Sequence, residues 1–127
     1  MPHLIDGPGL AKLETLEQAA AQLQRLHAVV ERMAQAQRIL QPLAPFRQQI
    51  QRVAAPLASL LKPQFEPLAD MVTNLLIVST RGGSESHRVR ALRESVAQIR
   101  SNIEAAEARV RKQHTVVDKA GEAAGES

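Results

Sequence analysis

The side chains able to do acid–base or metal chemistry in this chain are four histidines, His3, His27, His87 and His114, and there is no cysteine. Two of them have a carboxylate four residues on: His27 with Glu31, and His114 with Asp118. On a helix this spacing puts both groups on one face, where they could share a metal. Helical two-metal sites need more, namely Glu-x-x-His pairs from two helices with further inward carboxylates. No Glu-x-x-His occurs, so surface hydrogen-bonded pairs are expected and no metal site. A thiol nucleophile, a G-x-S-x-G elbow and a phosphate loop are also missing. Gly82-Gly83 has neither the strand nor the Lys-Ser/Thr of such a loop and reads as a helix-ending turn. The expectation is a protein that is not an enzyme, with no catalytic residues, no cofactor and no small-molecule substrate.

The cationic residues are more informative. Between Arg25 and Lys62 lie six basic residues (Arg25, Arg32, Arg38, Arg47, Arg52, Lys62) and one acid, Glu31. Arg81, Arg88, Arg90 and Arg93 form a second cluster where the last helix begins, with His87 among them. These four are the candidate anion-contacting residues, facing nucleic acid or an acidic protein, and the plainer alternative is a solvated charged face. Net charge is only +3. No aromatic residues interleave with the arginines and no helix-turn-helix spacing is visible, which counts against nucleic acid. A cationic cluster at a helix N-terminus also opposes the helix dipole.

The elements that must position these groups are helices. Aromatic residues make up 2% of the 127 residues, only Phe46 and Phe65, while hydrophobic residues reach 44%. A core of Leu, Val, Ile and Ala without rings suits thin helix–helix layers and lines few pockets. The first helix is expected over Gly9 to Gln41, on Leu10, Leu13, Leu16, Ala20, Leu23, Leu26, Val30, Met33 and Leu40, with a phase shift at Leu23. Pro42 and Pro45 end it. The second is expected over Leu43 to Leu61, on Phe46, Ile50, Val53, Leu57, Leu60 and Leu61, kinked at Pro56. The third starts at Pro63, carries Phe65, Leu68, Val72, Leu75 and Leu76, and fades near Ser79. The triplet Pro-Leu-Ala recurs at 42–44, 56–58 and 67–69, which is too short to make a repeat protein.

Gly82-Gly83 then reverses the chain, and Ser84 or Ser86 can cap the last helix, expected to reach Asp118. That helix carries the most regular seam: Val89, Leu92, Val96, Ile99, Ile103, Ala106, Val110, then Gln113 and Val117, in alternating steps of three and four. Arg93 and Arg100 flank it early and Glu107 later, so an antiparallel pair of copies would bring unlike charges together.

The expected fold class is all-α: an elongated antiparallel helical bundle or coiled-coil-like hairpin of about four helices, with the middle leg kinked at prolines and no sheet. Residues 1–8 read as a flexible lead, 9–118 as the helical domain and 119–127 as a disordered tail. The first and last helices, each roughly 50 Å long at 1.5 Å per residue, match a bent leg made of the second and third. Residues 43–57 resemble, in pattern alone, the proline-punctuated helices of exchangeable apolipoproteins. No function is carried across, since one Phe is a poor lipid anchor. The most apolar run, Met71 to Val78, is far short of the roughly 20 residues of a membrane span. The start lacks the charged and apolar regions of a signal peptide, so a cytoplasmic setting is expected. The Arg- and Ala-rich usage suits a GC-rich, bacterial genome. The expected role is a structural or adaptor protein that meets other protein chains, with self-association as a homo-oligomer through Val89, Leu92, Val96, Ile99, Ile103 and Val110; the alternative for the same seam is packing inside one chain against the first and third helices. The competing class is a basic helical protein on an anionic surface, nucleic acid or membrane.

Overall fold

A computed structural model of the chain describes residues 4–116. His3, Val117, Asp118 and the 119–127 tail lie outside the described residues, and with them the expected His114–Asp118 pair. Four helices follow one another: α1 (Gly7–Arg38), α2 (Ala44–Leu61), α3 (Glu66–Thr80) and α4 (Glu85–His114). Each packs on its neighbour in sequence, and α1 packs on α4, which closes an antiparallel four-helix bundle. The all-α bundle expected from the periodicity is the fold.

The middle of the chain differs from the expected single bent leg. After Leu61 the backbone turns through Lys62–Phe65, where the Phe65 N–H donates to the Leu61 carbonyl at 2.7 Å. Pro63 has no N–H to offer a continuing helix. The α3 helix then folds back along α2 and packs on α2 and α4 rather than on α1. The physical reason is cover: α2 buries Ile50, Ala54, Leu57 and Leu61, while α3 buries Leu68, Val72 and Leu75. A hairpin lets these two stripes share one core with α1 and α4. Pro56 lies inside α2, which continues through it.

In α1 the buried stripe is Leu16, Ala19, Leu23, Leu26, Val30 and Met33. These steps alternate three and four without a shift, because Ala19 rather than Ala20 is the inward alanine. Leu10 and Leu40, expected in the stripe, are 51% and 90% exposed. The helix ends at Arg38, short of the expected Gln41, in a backbone motif around Leu40. The Gln41 N–H donates to the Ala36 carbonyl at 2.9 Å and the Leu40 N–H to the Gln37 carbonyl at 3.2 Å. Leu40 holds φ at 60°, the left-handed position that glycine usually fills.

At the other end the N-terminal lead is built into the fold over its described part. Leu4–Ile5 (β1) pairs antiparallel with Thr115–Val116 (β2), Leu4 opposite Val116 and Ile5 opposite Thr115. This short ladder corrects the expectation of no sheet and ends α4 at His114. Asp6 caps α1, its Oδ1 accepting from the Gly9 N–H at 2.7 Å. Gly9 is buried there: a Cβ on it would lie 2.5 Å from the His114 Cβ and 2.6 Å from Ile5 Cγ2. The 32 and 30 residues of α1 and α4 run past the hairpin of 18- and 15-residue helices. The ladder ties their ends.

Candidate functional site

The α4 seam is internal. Leu92 and Ile99 are fully buried, and Val89, Val96, Ile103 and Val110 are at most 5% exposed, all within one chain. They form one core with the stripes of α1, α2 and α3. The seam expected to face a second copy is therefore filled by the chain's own helices, because closing α3 and α1 over α4 satisfies the same apolar positions. Its flanking arginines are engaged within the chain too. Arg93 forks onto Glu31 of α1, both N–H···O distances being 2.8 Å, and the Arg100 Nη2 lies 3.5 Å from the Gln24 Oε1.

The described histidines, His27, His87 and His114, do not converge. Glu31 is committed to Arg93, so the expected His27–Glu31 pair is not made. His114 sits between Asp6 and Lys12, its Nδ1 3.2 Å from Asp6 Oδ1 and its Nε2 3.1 Å from Lys12 Nζ. An ammonium group only donates, so Nε2 accepts from Lys12 and Nδ1 carries the hydrogen directed at Asp6. This joins the start of α1 to the end of α4, at one end of the bundle. Among the described residues no group of three or more His, Asp or Glu is placed to hold a metal ion.

The four arginines of the expected anion cluster are split by the fold. Arg88 is largely buried against the start of α4: its Nε donates to the Arg81 carbonyl at 2.9 Å and its Nη1 pairs with Glu85. Glu85 also takes Arg47 of α2 at 3.2 Å, pinning the beginnings of α2 and α4 together. Arg88 and Arg93 thus serve the fold, which also offsets the cost of cations at a helix N-terminus. Arg81 and Arg90 make no ion pair among the described residues and lie on different grooves. Arg81 lines a small one beside His87, and Arg90 lines one between α1 and α4.

Arginines without an ion pair among the described residues gather elsewhere, on both sides of the C-terminal half of α1. Between α1 and α2 runs an open groove of about 370 Å³, with Arg25 and Arg32 on one wall and Arg52 on the other. Ala28, Val29 and Val53 form its floor, Gln49 adds an amide, and no carboxylate lines it. Between α1 and α4 a second groove of about 440 Å³ carries Arg38 and Arg90 with the paired Arg93, and Glu94 lines it too. Arg25, Arg32, Arg38, Arg52 and Arg90 have no ion-pair or hydrogen-bond partner among the described residues. The basic run from Arg25 onward was legible in the sequence. Its assembly into grooves was not, although Arg25 and Arg32 stand seven residues apart, close to two turns of one face. Forked guanidinium groups over an aliphatic floor can bind carboxylates or phosphates.

No helix of the described residues is long and apolar enough to cross a membrane. The chain matches no protein-family model, no curated protein and no solved structure.

Proposed function

We propose that this chain is a non-enzymatic helical adaptor that holds an acidic protein partner on the outside of a closed bundle, in the cytoplasm. The observation that carries the reading is the division of labour among its residues. Apolar seams are consumed inside one chain, while Arg25, Arg32, Arg38, Arg52 and Arg90, around α1, make no ion pair among the described residues. In this reading the α4 seam is not an interface, and any homo-oligomer is built from outer faces. The test is capture of partners from the chain's own cells by the wild type and by a variant with Arg25, Arg32 and Arg52 all changed to Glu. The reading expects a discrete protein partner that the variant loses. A captured set that is the same for both contradicts it.

A second reading, an anionic surface of nucleic acid or membrane, is favoured by the same uncompensated arginines. Salt separates the two. Phosphate-driven binding falls steeply with salt through counterion release, whereas a docked protein with apolar contacts falls less.

A further inference from the structure

We propose that the groove between α1 and α2 receives one amphipathic acidic helix of a partner protein, with two carboxylates about two turns apart and an aliphatic side chain between them. This rests on the adaptor reading and names its partner. Arg25 and Arg32 are seven residues apart on α1, roughly 10 Å along the axis at 1.5 Å per residue. Carboxylates at i and i+7 of a docked helix have the same separation. Arg52 lines the groove from α2 on the opposite wall, and Val53 and Ala28 line it with the three arginines. An aliphatic residue at i+3 or i+4 of the guest lies between its carboxylates and meets that floor.

Other anions fit less well. Single-strand binders add aromatic stacking platforms to their phosphate contacts, and no aromatic residue lines the groove. A phosphate backbone has no use for an aliphatic floor. A bilayer surface is engaged by protruding Trp or Phe anchors, whereas the Val53 side chain is half-buried in a concavity. The guanidinium fork matches a carboxylate with two parallel hydrogen bonds, and the groove supplies three forks with no carboxylate of its own.

The experiment uses a fluorescein-labelled synthetic helical peptide with two Glu seven residues apart and Leu between them, titrated with the full chain and read by anisotropy. Expected is saturable binding that weakens about tenfold or more in R25E/R32E, a surface variant whose melt should match the wild type. A peptide with Lys in place of both Glu should bind that variant better than it binds the wild type. Replacing the peptide Leu by Ser should weaken binding several-fold. A Leu→Ser peptide that binds as well as the parent overturns the proposal, because the contact is then charge alone. Tighter, Arg32-dependent binding of a single-stranded DNA oligonucleotide, or of phosphatidylserine vesicles, overturns it in favour of those surfaces. A peptide that does not bind, while cellular partners still depend on Arg25, Arg32 and Arg52, overturns the helical guest and leaves the adaptor reading standing.

Discussion

Changing Ile99 to Asp separates a seam that closes inside the chain from one that waits for a second copy. Ile99 is fully buried in the middle of α4. Truncating a buried large aliphatic residue costs about 2–5 kcal/mol in lost burial and residual cavity. A carboxylate left there without a partner adds about 1–3 kcal/mol or more of desolvation. Together these approach the whole stability of a domain of this size, about 5–15 kcal/mol. The variant should therefore lose its cooperative thermal transition rather than shift it. Circular dichroism melts beside light scattering provide the assay, with Ala97→Asp, an exposed position on the same helix, as the control that should melt like the wild type. An Ile99→Asp chain that stays helical, melts cooperatively and differs only in being a smaller particle would refute the reasoning, because the seam would then lie between chains.

Three further outcomes rest on local geometry. Leu40→Gly should stabilise the bundle: relief of a left-handed non-glycine residue is worth about 1–2 kcal/mol, against about 0.5–1 kcal/mol of added unfolded-state freedom. The melting temperature should rise for Gly and not for Leu40→Ala, which keeps the Cβ. Gly9→Ala should lower it, since the new methyl meets the His114 Cβ and overpacking typically costs about 1–3 kcal/mol; hydrogen exchange at Ile5 and Asp6 would report the loosened ladder. Glu31→Gln should change stability by no more than about 1 kcal/mol, because its fork with Arg93 is largely solvent-exposed, and the small effect should shrink further with salt.

How much of the fold could be read from the sequence depended on the range of the interactions involved. The α4 seam was legible from Val89 to Val110 because its steps are local and its neighbours are polar. The α1 stripe was misphased at one point, since Ala19, Ala20 and Ala21 are alike in sequence and only packing selects Ala19. Proline marked the end of α2 correctly but gave no direction for α3: Pro63 suits a bend as well as a reversal. The end latch was invisible, because Asp6 and His114 are 108 residues apart and Gly9 looks like loop punctuation until His114 is placed against it. The pairing within the arginine cluster at 81–93 was not legible for the same reason. Glu31 lies 62 residues from Arg93, so which arginines are neutralised depends on helix pairing and not on spacing.

The central claim, that recognition lies on the free arginines of α1 and α2 while the seams stay closed, is most directly tested by arginine-selective dicarbonyl labelling read out by peptide mass spectrometry. In the free chain, Arg25, Arg32 and Arg52 should react quickly and Arg88, held by Glu85 and the Arg81 carbonyl, slowly. In the complex with a captured partner, Arg25, Arg32 and Arg52 should become protected while Arg109, which lines a separate groove at the far end of α4, keeps its reactivity. Unchanged labelling of the three groove arginines in the complex would contradict the account.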